Sequence, residues 1–115
     1  MDEIRLIELL SNLREIINRS LSLTEKDAQN YDQELKTASS RLSRYEQEIY
    51  SLIITAARHL EILSIMKVAL EYCKQLISYY LGGEPNYDKI VEVRQKIITQ
   101  LEKLESVTKK GGEDV

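Results

Sequence analysis

Arg58 and His59 are the adjacent pair in this chain whose types could move a proton, set in the apolar stretch IYSLIITAARHLEILSIMKVAL over residues 49–70. His59 is the only histidine, so a general base, or an arginine–histidine pair that cleaves RNA, would have to be built on it. The carboxylate nearest in sequence, Glu61, is two residues on and falls off the histidine's helical face. An imidazole on an apolar seam without such a partner reads as a packed residue whose ring nitrogens bond locally. Cys73 is the only thiol. One histidine and one cysteine cannot complete a tetrahedral zinc site, and Cys73 reads as a small buried apolar residue. LGGEP, residues 81–85, lacks the Lys-Ser/Thr of a phosphate loop and follows a helix rather than a strand. No serine or threonine has a base at a recognisable spacing, and no two acids share an apolar setting that would shift a pKa. No catalytic, cofactor-binding or metal-ligating residue is predicted, and the chain is not expected to be an enzyme.

Charge narrows the remaining classes. The formal net charge is −3, against the clustered basic face of a protein that holds nucleic acid by neutralising phosphates. Arg41, Arg44 and Arg58 are the one local patch that keeps nucleic acid as a secondary candidate partner. With 43% hydrophobic and 30% charged residues, the composition is that of neither a disordered chain nor a membrane protein. A single cysteine forms no intramolecular disulfide, and a cytoplasmic location is expected. The opening MDEIRLIELL lacks the pattern of a secretory signal, and EDV is no prenylation box. The absence of Phe and Trp, beside abundant Ile, Leu, Glu and Lys, leans toward a thermophile.

The elements that would position these residues are all helical. Leu6, Leu9, Leu10, Leu13, Ile16 and Ile17 recur at steps of three and four, predicting an amphipathic helix over residues 2–19. A turn near 20–23 follows, because Ser22 with Glu25 and Thr24 with Asp27 both fit an N-cap with an acid three residues on. From Ala28 to Tyr80 one apolar seam alternates those steps without a slip, through Tyr31, Leu35, Ala38, Leu42, Tyr45, Ile49, His59, Leu63, Met66, Leu70, Cys73 and Ile77. As one helix, residues 25–81 would make a rod about 85 Å long. The alternative is a break near 39–46, where Ser39, Ser40 and Ser43 lower helix propensity.

From Ile49 onward apolar residues go round the helix, so residues 49–81 belong at the centre of a bundle. A membrane span there would carry Arg58, Glu61 and Lys67 into hydrocarbon at roughly 2.5–3.5 kcal/mol each, and no membrane role is expected. Gly82, Gly83 and Pro85 stop the helix, and Asn86 or Asp88 can cap the next. That last helix, residues 87–107, turns Ile90, Val93, Ile97, Leu101 and Leu104 to the core, helped by Val91 and Ile98. Residues 1–108 form a single domain, and 109–115 a flexible polar tail.

Contact surfaces are predicted at two places. Tyr72, Tyr79, Tyr80 and Tyr87 gather around the GGEP turn, and tyrosine is enriched where proteins meet. Tyr31, Leu35, Leu42 and Tyr45 form the part of the seam flanked by polar residues, where a neighbour is needed.

LTEKDAQNYDQELKTASSRLSRYEQEIYSLIITAA resembles the helical domain of archaeal GINS subunits, with Thr37-Ala38, Leu42, Ile49, Leu52 and Ala56-Ala57 in comparable places. That resemblance implies a non-catalytic replication scaffold contacting sister subunits through helix faces, although no small β-rich domain follows here. ALEYCKQLISYYLGGEPNYDKIVEV is similar to a segment of HEPN-type helical domains. Tyr87-Asp88 stands where that family's ribonuclease histidine is expected, so this second resemblance implies a nucleic-acid-associated or defence-related binding domain without nuclease activity. The reading as a whole is an all-α, elongated antiparallel bundle of three to four helices. Its expected role is helix–helix association with protein partners, in a homo-oligomer or a larger complex, without a cofactor.

Overall fold

The computed structural model describes residues 3–50, 57–82 and 86–113, with the side chains of 7–48, 59–82 and 86–108. Among the described residues, four helices, α1 (Glu3–Ser20), α2 (Ala28–Tyr50), α3 (Ala57–Leu81) and α4 (Tyr87–Glu113), form an up-down-up-down bundle, with a 3₁₀ turn at Glu25–Asp27. There is no strand among the described residues. The bundle measures 47 × 26 × 17 Å, so the 85 Å rod does not exist.

The long seam is a hairpin. Glu46, late in α2, pairs with Lys67 early in α3, while Tyr31 near the start of α2 faces Cys73 late in α3. The break near 39–46, the alternative to one rod, is not there: α2 runs unbroken from Ala28 to Tyr50, and α3, from Ala57, lies antiparallel to it. The physical reason lies in the seam itself. Leu35, Ala38, Leu42 and Tyr45 continue through the serine-rich stretch and are all buried, and the small propensity cost of exposed serines does not outweigh that burial. Folding back lets the two halves of one stripe bury each other.

α3 is the central helix. Leu63, Met66, Leu70, Cys73 and Ile77 of the seam are buried, and so are Ile62, Ala69 and Leu76 to either side. It packs on α2, on α4 and, less extensively, on α1. α1 supplies Leu9, Leu13 and Ile17, and α4 supplies Ile90, Val93, Ile97 and Leu104. Each fully buried Leu or Ile contributes on the order of 1.5–3 kcal/mol relative to exposure.

The predicted caps are partly realised. Thr24 stands at the N-cap of the 3₁₀ turn but its side chain caps no backbone N–H, donating instead to Asp27 Oδ2 at 2.9 Å, and the Ser22 hydroxyl turns back toward the Arg19 carbonyl. Asn86 Oδ1 accepts from the Lys89 N–H at 3.2 Å and so caps α4. A Cβ at Gly82 would lie 2.9 Å from the Ser78 carbonyl oxygen, which is why the end of α3 needs glycine. At the other end α4 does not stop at 107. It continues to Glu113, into the residues expected as a tail, with the Thr108 hydroxyl donating to the Leu104 and Glu105 carbonyls. Among the described residues no helix is long and apolar enough to cross a membrane.

Candidate interaction surfaces

His59 is half-buried at the first turns of α3, and its Nδ1 is buried without a hydrogen-bond partner among the described residues. The side chain of Arg58 lies outside the described residues. Cys73 is fourteen residues further along the same helix, a separation of about 21 Å, so the two soft ligands cannot meet within one chain. Among the described residues no group of three or more His, Cys, Asp or Glu side chains is gathered that could hold a metal.

Cys73 belongs to a buried polar knot where α1, α2 and α3 converge. Ser20 is fully buried and donates to the Ile17 carbonyl at 2.6 Å. The Tyr31 hydroxyl sits near both Ser20 and Cys73, with neither in a well-formed hydrogen bond. Burial, reinforced by the neighbouring thiol, pushes the Tyr31 phenol far above its ordinary range, and burial likewise raises the Cys73 thiol. Both groups therefore keep their protons longer in the native state than in the unfolded one. Stability is full below the ordinary values and falls as pH climbs past 9.0 for the thiol and 10.0 for the phenol. The slope reaches up to about 1.4 kcal/mol per pH unit for each group. Tyr31→Phe is expected to flatten the alkaline limb of a urea-melt series above pH 10, and an unchanged limb would remove Tyr31 as its source. At pH 8 native Cys73 is expected to react with an aromatic disulfide roughly a hundredfold more slowly than in denaturant, the factor for opening at about 3 kcal/mol.

The tyrosines near the α3–α4 turn divide into three covered residues and one free one. Tyr72 lies under Lys96 at 5.7 Å and Tyr79 under Lys89 at 5.9 Å, both half-buried. Tyr80 donates to the Leu23 carbonyl at 3.1 Å, and Arg94 Nη2 donates to the same oxygen at 3.0 Å and to the Tyr80 hydroxyl. This clamp ties the α1–α2 connection to both α3 and α4. Tyr87 alone is open, at 69% exposure, and Val91 one turn on is 65% exposed. Val91 was expected to help the core. It is instead offset from the Ile90–Val93–Ile97 seam, and Ile98 on the same side is only half-buried. Leu81, at 46%, adds to the exposed apolar surface at this end.

Tyr31, Leu35, Leu42 and Tyr45 were expected to await a partner. They are 1–3% exposed and buried against the chain's own helices, with Tyr45 reaching the wall of a groove. The surface beside them is a groove between α1 and α2. One compartment of about 290 Å³ is lined by Leu13, Ile16, Thr37, Ala38 and Arg41, with Arg19 and Glu34 paired at 2.5 Å on its rim. A second, of about 210 Å³, is lined by Glu8, Leu9, Arg41, Arg44 and Tyr45. Arg41 and Arg44 are exposed and make no ion pair with a described residue.

The strip on α4 carried a faint sequence signal: Tyr87 and Val91 form an i, i+4 pair out of phase with the seam. Arg94 carried none, since its partner Leu23 is 71 residues away. Compared with family models, curated proteins and solved structures, the chain matches none of them.

Proposed function

We propose that this chain is a cytoplasmic helix-association module, working by holding copies of itself and a larger assembly together. The observation that carries the reading is the apolar strip at the start of α4. Tyr87 and Val91 stand open to water one helical turn apart, while large side chains of the helical seams are packed away. An exposed aromatic beside an exposed β-branched residue is the usual core of a protein contact, where a handful of such anchors supplies most of the affinity. The resemblance to GINS helical domains supports the same class of role, a replication scaffold that meets sister subunits through helix faces. Sedimentation at micromolar concentration tests it. The native chain is expected to self-associate, and Tyr87→Glu with Val91→Glu to weaken association at least about tenfold, as loss of a contact hot spot does, while leaving helicity unchanged. A native chain that stays monomeric to millimolar concentration overturns the reading.

A further inference from the structure

The α4 strip and the α1–α2 groove fit each other. We propose that the start of α4 of one copy docks into the α1–α2 groove of another, a step that rests on the self-association reading and names its two surfaces. The argument begins with unspent charge. Among the described residues, Arg19, Lys36, Lys67, Lys74 and Lys96 each have a carboxylate partner, whereas Arg41 and Arg44, which line the groove, have none. They lie one turn apart in the stretch 35–45, which holds three cations and no acid in a chain of net charge −3. On α4 an apolar–acidic doublet repeats at a spacing of one turn: Tyr87-Asp88, then Val91-Glu92. Asp88 makes no ion pair with a described residue, and Glu92 has only an exposed partner, Lys96 at 3.5 Å, which competes weakly.

Spacing agrees with charge. The groove's two compartments, with Leu9 and Tyr45 in one and Leu13 and Ala38 in the other, are offset by four residues along α1 and seven along α2, about 6 and 10 Å. Tyr87 and Val91 match the offset on the α1 wall, so along that wall each apolar side chain finds one compartment while Asp88 and Glu92 approach Arg41 and Arg44. This is the helix-in-groove mode, with i and i+4 anchors. The groove suits nucleic acid less well, since Leu13, Ile16 and Ala38 line one compartment and Glu8 and Glu34 stand on its walls. The contact joins two different surfaces, so it is heterologous and closes as a reciprocal pair or a ring.

Heterologous contacts are tested by mixing. An Arg41→Glu/Arg44→Glu copy keeps its strip but loses its groove, and a Tyr87→Glu/Val91→Glu copy does the reverse. Each alone is expected to sediment as a monomer, with association weakened at least about tenfold. Mixed in equal amounts they are expected to form a 1:1 heterodimer through the one intact groove and the one intact strip. If the mixture stays monomeric, or if the arginine variant associates like the native chain, the strip meets some other surface and the proposal fails, although self-association stands. A native chain that is itself monomeric removes both readings. A gel shift with single-stranded and duplex oligonucleotides at low salt completes the set: nucleic-acid binding lost with Arg41 and Arg44, beside unaltered self-association, assigns the arginines to nucleic acid instead. Circular dichroism of both variants guards against unfolding, and every substituted residue other than the core-adjacent arginine stems is on the solvent side.

Discussion

Leu35→Asp is expected to leave the chain unfolded at neutral pH. Leu35 is 1% exposed in the middle of α2, among Tyr31, Ala38 and Leu42 and facing α3. A carboxylate placed there has no cation to pair with inside the seam, and burying an unpaired charge costs several kcal/mol on top of the lost packing. A domain of this size has about 5–15 kcal/mol to lose. Circular dichroism at 222 nm and sedimentation read the outcome together. A variant that keeps native helicity as a monomer would place Leu35 on an intermolecular face and overturn the hairpin packing. Leu35→Ala at the same position is milder, at roughly 2–5 kcal/mol, and lowers the urea midpoint without a change of slope.

Arg94→Met carries the second large effect. The substitution keeps most of the side-chain length and removes the donors that reach the Leu23 carbonyl and the Tyr80 hydroxyl. Hydrogen bonds from a charged group contribute about 1.5–3 kcal/mol, and a loss in that range is expected from urea melts. Tyr80→Phe leaves the arginine contact to Leu23 and is expected to cost about 1 kcal/mol. If the two single losses add in the double variant, the groups act separately. A double loss smaller than the sum is the result expected for two donors sharing one oxygen. A melt of Arg94→Met that superimposes on the native one would show that the connection between α1 and α2 holds without the clamp.

Much of this fold could be read from periodicity. The apolar steps place α1, the α2–α3 seam and the start of α4 correctly, because three- and four-residue spacing is set by helix geometry and survives whatever the helix packs against. The reversal could not be read the same way. No glycine or proline precedes Gly82, and the seam keeps its phase on both arms of the hairpin, so periodicity is identical for one rod and two antiparallel helices. The same blindness put four buried residues among the expected contact residues. Tyr31, Leu35, Leu42 and Tyr45 look short of neighbours only while α3 is imagined as their continuation. Once it folds back, α3 and α1 cover them, while Tyr87, already expected at a contact surface, stays open beside Val91, which had been expected to help the core. Arg41 and Arg44 were visible as a basic patch, but the groove beside them exists only because α1 and α2 pack loosely along one edge.

The order of the helices in space repeats their order along the chain, with the broadest interfaces between α2 and α3 and between α3 and α4. Loop closure is therefore inexpensive, and helical bundles of such local topology assemble in microseconds to milliseconds. α1 touches the others most sparingly, through Leu9, Leu13 and Ile17. One wall of the receiving groove belongs to α1. Under the docking proposed above, a molecule whose α1 is not yet seated has nowhere to accept a neighbour, so pairing would wait on completed folding.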